Sequence, residues 1–229
     1  MKKVAILVDG GFYRKVSRFY CGEKSPEERA RELRNYCFNH YKAKRGEEPH
    51  AELYRIFYYD CPPVEKIIYH PLLGKNIDLK KSKLFSWTNS FFNELKTMRK
   101  FALRLGVLAD EMAYYAIKPE IVKDLCKKKI TIDNLSEKDF ELNIRQKGVD
   151  MKIGIDIASL AYKKQVEQIV LISGDSDFVP AAKLARREGI DFILDSMGQN
   201  IKSDLSEHID GLKSYYMSLK NSVKKQIKS

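Results

Sequence analysis

Four aspartates stand where side chains could gather around one reacting group: Asp9 in Val8-Asp9-Gly10-Gly11-Phe12, Asp150 in Lys147-Gly148-Val149-Asp150, and Asp175 and Asp177 in Ser173-Gly174-Asp175-Ser176-Asp177-Phe178. Carboxylates brought close together repel unless protons or a cation intervene. Hard oxygen donors without nearby His or Cys favour Mg²⁺ or Mn²⁺ over zinc. Magnesium keeps several waters and takes few protein carboxylates, leaving room for a substrate phosphate. The chemistry such a set supports is attack of a metal-activated water on a phosphodiester. Asp60, before Cys61-Pro62-Pro63, is a further candidate, with ligand and turn readings equally weighted. Lys147 and Lys152 are the candidates for contacting phosphate.

Each acid also has a plainer reading. Asp9 could support a turn with Gly10-Gly11, and Asp150 could complement the positive end of a helix. Asp177 reads as the N-cap of a helix over Phe178–Glu188, because Pro180 then falls at the third helical position and sacrifices no hydrogen bond. With Asp175 as N-cap, Pro180 would lie inside the bonded helix at a cost of up to about 3 kcal/mol, so capping explains Asp175 poorly. Asp156 points to another face of its helix than Asp150 and reads as a buried structural acid.

Other chemistries lack their residues. The four histidines form no metal-binding pair, Ser173-Gly174-Asp175 is not a nucleophile elbow, and no phosphate-cradling Gly-rich loop is present. Cys21, Cys37, Cys61 and Cys126 are scattered, with neither disulfide-framework nor zinc spacing, which fits a reducing cytoplasm. No run approaches the roughly 18 apolar residues of a membrane span, so no membrane is expected as a partner. A net charge of +11 suits a polyanion, and equally well a merely soluble surface.

The elements that must position these acids alternate. Strands are expected at Lys3–Val8, Leu53–Tyr59, Glu141–Arg145, Gln168–Ser173 and Ile190–Leu194, with helices at Glu27–Tyr41, Gly148–Tyr162 and Phe178–Glu188. Gln168–Ser173 is an unbroken apolar run of the kind buried on both faces of a parallel sheet. The alternation implies a doubly wound, mainly parallel five-stranded α/β sheet. In such a sheet, ligands bind outside the carboxyl ends of the strands, where strand order reverses. Residues 62–139 read as an insertion with a helix over Ser90–Leu103 and basic clusters at Lys80-Lys81-Lys83, Arg99-Lys100 and Lys127-Lys128-Lys129, interleaved with Trp87, Tyr114 and Tyr115. Leu205–Lys228 reads as a helical tail packing on the domain or on a partner subunit in a homo-oligomer, and 1–229 reads as a single domain.

The three aspartate motifs, in their order and positions relative to strands, resemble the NYN family of PIN-like nucleases, most closely its LabA-like branch. The resemblance covers about Lys2–Tyr59 and Phe140–Leu212. It implies a PIN-like three-layer α/β/α sandwich with strand order 3-2-1-4-5. It also implies a Mg²⁺ or Mn²⁺ site of Asp9, Asp150 and Asp175, with Asp177 and Asp60 in support, and cleavage of single-stranded RNA. The first motif departs from the family's frequent pattern, carrying Phe12 where Asn is common. A non-catalytic RNA-binding or regulatory protein on the same fold is the alternative, and a phosphatase of small esters ranks third.

Overall fold

The computed structural model describes residues 1–42 and 51–215, the side chains of 110–112 and 145–146 excepted. The chain begins with β1 (Lys2–Asp9), α1 (Gly10–Cys21), α2 (Pro26–Phe38) and β2 (Ala51–Asp60). It continues through β3 (Ile67–His70), β4 (Lys75–Asp78), α3 (Lys83–Thr97), β5 (Phe101–Leu105), β6 (Val107–Ile117), α4 (Pro119–Cys126) and β7 (Phe140–Lys147). It then forms α5 (Val149–Tyr162), β8 (Gln168–Ile172), α6 (Val179–Arg187), β9 (Asp191–Asp195), α7 (Ser203–Glu207) and β10 (Gly211–Leu212).

Two compact units result. Among the described residues the first comprises 1–42, 51–61, 90–106 and 148–215; the second comprises 62–89 and 107–147. In the first, six strands in the order β10-β9-β8-β1-β2-β5 pair in parallel throughout. Val4–Val8 and all of β8 are buried, as central strands covered on both faces require. Neighbouring residues of a strand point to opposite faces. Tyr58 of β2 meets Phe91 and Phe92 of α3, whereas the hydroxyl of Tyr59 donates to Asp156 of α5. Helices therefore cover both faces of the sheet.

The second unit holds two antiparallel strand pairs, the hairpin β3–β4 and the pair β6–β7, between which α4 intervenes in the chain. In it His70 is buried against the rings of Tyr115 and Phe140.

Several expectations need correction. The expected third strand, within β7, is not in the parallel sheet; its place beside β2 is taken by β5. The order 3-2-1-4-5 survives with β5 as its third member, and β10 adds a sixth strand. The expected insertion is interrupted, since residues 90–106 return to the first unit, and the helix predicted to Leu103 ends at Thr97. Helix α1, absent from the expected elements, follows Asp9 directly, so Gly10-Gly11 is not a turn. Of the predicted C-terminal helix, only α7 and the strand β10 fall among the described residues, and positions beyond 215 lie outside them. Among the described residues no helix is long and apolar enough to cross a membrane.

Candidate metal centre

Strand order reverses between β1 and β8, whose successors β2 and β9 lie on opposite sides of the pair. A crevice opens at the carboxyl ends of such a pair. Asp9 closes β1 and caps α1: its Oδ1 accepts the Phe12 N–H at 3.0 Å and its Oδ2 accepts the Ser173 hydroxyl at 3.1 Å. Two donors thus fix the carboxylate. The same Ser173 Oγ accepts the Asp175 N–H at 3.3 Å, tying the loop after β8 to the end of β1.

Asp175 is itself a cap. Its Oδ1 accepts the Asp177 N–H at 3.0 Å, opening a single 3₁₀ turn over Ser176–Phe178. Helix α6 starts only at Val179, with Pro180 in its first two positions and no side-chain cap. The sequence-based argument is therefore reversed: Asp177 does not cap the helix, and Asp175 has a capping role.

Asp150 lies in the first turn of α5 behind Gly148, whose φ of 80° suits a residue without a Cβ. Burial, and then the charges of Asp9, Asp175 and Asp177, push its carboxyl above the ordinary range. Asp9 is raised too: burial outweighs its two hydrogen bonds, and Asp60 and Asp175 add repulsion. Asp150 is therefore within electrostatic reach of the other three acids, and Asp9 of Asp175. Such a donor set fits a hard divalent cation, whose charge would relieve this repulsion. Among the described residues no three His, Cys, Asp or Glu side chains are grouped so that together they could hold a metal ion. Magnesium, held by one or two carboxylates and several waters, does not need such a group.

Asp60 is engaged otherwise. Its side chain is fully buried, paired at 2.9 Å with the Arg14 guanidinium, and accepts from the Tyr58 hydroxyl at 3.1 Å and the Cys61 N–H at 2.8 Å. Asp156 accepts from Tyr59 at 2.8 Å and Arg104 at 3.0 Å, so it ties β2, β5 and α5 together, partly buried. Lys152 is exposed on α5, and Lys147 is exposed at the end of β7 in the second unit.

Sequence reasoning missed two features. Asp195 ends β9 as Asp9 ends β1, a signal open to the same rule. It is buried, accepting from Tyr36 Oη (2.6 Å), Ser214 Oγ (2.8 Å) and the Met197 N–H (2.7 Å), and facing His40 Nε2 at 2.9 Å. The second is a cleft of about 420 Å³ beside Asp9 and Asp175, which Phe12, Lys15, Gln199 and Asn200 also line.

A parallel sheet with acids outside the carboxyl ends of β1 and β8 is consistent with the PIN-like nuclease class, and the family match points to that class. The chain belongs to the NYN domain family, whose model matches residues 74–212. That span contains Asp150, Asp175 and Asp177, while Asp9 and Asp60 precede it. A crystal structure of a protein of unknown function from Vibrio parahaemolyticus is similar at 15% identity and a TM-score of 0.45, covering 93% of this chain and 92% of that one. A structure titled for the mechanism and regulation of Sir2 enzymes is similar at 10% identity and a TM-score of 0.33, covering 100% and 94%. No curated protein matches the chain.

Proposed function

We propose that this nuclease domain is a metal-dependent ribonuclease hydrolysing phosphodiester bonds of single-stranded RNA. The carrying observation is that Ser173 Oγ ties Asp9, at the end of β1, to the Asp175 loop after β8, with Asp150 near enough that burial and then the charges of Asp9, Asp175 and Asp177 raise its carboxyl pKa. Asp9, Asp150 and Asp175 would hold Mg²⁺ or Mn²⁺, with Asp177 in support. Asp60 is omitted because its fully buried carboxylate is already neutralised by the Arg14 guanidinium. When bound, the ion supplies a water activated near neutral pH and offsets charge on the attacked phosphate.

The chain's own groups prepare that site. The Phe12 N–H and Ser173 hydroxyl orient Asp9 before any ion arrives, so little reorganisation accompanies the reaction. Lys15, at the cleft, has no ion-pair partner among the described residues and can neutralise a phosphate. Phe19, seven residues along α1 from Phe12 and 81% exposed, continues the same helical face as an apolar surface suited to unpaired bases.

A labelled single-stranded RNA incubated with protein and Mn²⁺ should be cut, and cutting should stop with chelator and in Asp175→Asn. Undiminished cleavage by that variant would sink the assignment. One observation favours the second reading, a non-catalytic RNA-binding protein: among the described residues no three His, Cys, Asp or Glu side chains are grouped so as to hold a metal ion together. That reading expects salt-sensitive RNA binding without turnover under any metal.

A further inference from the structure

We infer that the cleft beside Asp9 and Asp175 is a nucleobase pocket, with the Phe12 ring as its stacking platform. The inference rests on the ribonuclease reading and says which part of the substrate the site holds. Phe12 is half-buried and no part of the core. Its ring lies across the backbone of Gly174: a Cβ there would sit 2.7 Å from Cε2, 3.3 Å from Cζ and 3.4 Å from Cδ2. Glycine at 174 thus leaves the ring lying beside the acids. Its backbone N–H meanwhile holds Asp9, so one residue orients a carboxylate and supplies an apolar face next to it.

The other wall is polar. Gln199 and Asn200 are exposed carboxamides on the loop after β9. That loop is built: the Met197 N–H donates to Asp195, Ser196 Oγ donates to the Gln199 carbonyl at 2.8 Å, and Gln199 Nε2 donates to Tyr20 Oη at 3.1 Å. Amides offer both donors and acceptors, as the edge of an unpaired base requires. Lys15 adds a cation for the adjoining phosphate. The volume of about 420 Å³ falls in the range of sites that enclose a small organic group. A bare phosphate ester would engage Lys15 and leave Phe12 and the two amides without a role. Aromatic stacking accepts any base, so Gln199 and Asn200 would set what preference exists.

The test uses the full chain and an eight-nucleotide oligouridylate with one 2-aminopurine walked through each position, beside a matched abasic series. Ca²⁺ replaces Mn²⁺, and the strand is checked intact on a gel. At one position the fluorophore should be quenched on binding and the abasic strand should bind more weakly. Phe12→Leu, which keeps an apolar contact on Gly174, should lose that quenching and bind roughly 5- to 100-fold more weakly. Phe12→Trp should restore both. Quenching and affinity unchanged in Phe12→Leu, in a protein that still binds and cuts RNA, would overturn the pocket and leave the ribonuclease reading standing. RNA neither bound nor cut by the wild type would overturn both.

Discussion

Asp60 and Asp195 end β2 and β9 as Asp9 ends β1, and protein donors hold the oxygens of all three. Asp60 also has the Arg14 guanidinium, whereas Asp9 and Asp150 have no ion-pair partner among the described residues and are raised by burial and then by neighbouring carboxylates. For Asp9 and Asp150 the folded pKa lies above the unfolded one, so the fold binds a proton more tightly than the open chain does. Their contribution to stability is therefore fully present below the ordinary carboxylate pKa and is lost as pH rises through the raised values. Without metal at neutral pH, Asp150→Asn should raise Tm, because it removes a repelled charge. Mn²⁺ should then reverse the ranking. At 100 times Kd a single site adds about 2.7 kcal/mol, and each kcal/mol moves Tm by roughly 2–4 °C in a chain of this size. The variant should miss most of that gain in a thermal melt. A variant less stable than the wild type without metal, yet equally stabilised by Mn²⁺, would remove Asp150 from the site. Mn²⁺ affinity, read in a binding titration, should begin to fall on acidification at a higher pH than ordinary carboxylates would give, because protons compete for the metal-free carboxylates.

The elements carry these acids through a few close contacts. Gly10 opens α1 where a Cβ would meet Tyr58 Cζ and the Tyr59 carbonyl at 2.5 Å, and a carbonyl within the sheet cannot step aside. Gly10→Ala should cost roughly 1–3 kcal/mol by overpacking, read in a denaturant titration. Gly11 is different: its nearest neighbour would be Asp9 Oδ1 at 3.5 Å, an ordinary contact. Gly11→Ala should be neutral or stabilising by up to about 1 kcal/mol, since alanine favours helix. Equal losses from both would mean that the start of α1 is not pressed against β2. This contact also explains what the sequence conceals. Gly10-Gly11 resembles a turn because a helix rarely opens on two glycines, and only the tertiary fit to β2 explains the first. The Asp9 cap, with Tyr13, Val16 and Ser17 buried behind it at helical spacing, was the legible signal. Strand β7 is a more instructive error. Its alternating Glu-Leu-Asn-Ile is the pattern of a strand solvated on one side, as antiparallel hairpins are, whereas β1 and β8 are the continuous apolar runs that a covered parallel sheet demands. Strand β5 was hidden because Phe91, Phe92, Leu95, Met98 and Phe101 keep a helical period across a break marked by neither Gly nor Pro. The chain turns there at Lys100, with φ of 66° and its ammonium on the Leu53 carbonyl.

At the scale of the whole molecule, a small acidic centre sits in a chain of net charge +11, so the approach of a polyanion depends on cations away from the acids. The second unit supplies candidates. Lys127 and Lys128, which follow α4, are exposed and have no ion pair among the described residues, whereas Lys129 pairs with Asp124, Lys80 with Glu65 and Lys81 with Asp78. If Lys127 and Lys128 touch phosphates of a single strand, each contact contributes about 0.7 to the slope of log K against log salt. Replacing both with Gln should therefore flatten that slope by up to about 1.4 (two contacts at about 0.7 each) and weaken binding of long RNA at low salt. Metal-dependent cleavage of a substrate only a few nucleotides long should be unchanged, because the cleft and its acids belong to the first unit. The measurement is RNA affinity across a salt series, with the short-substrate rate as internal control. An unchanged slope would assign these lysines to solubility alone. A loss of short-substrate cleavage would show instead that the second unit supports the catalytic fold.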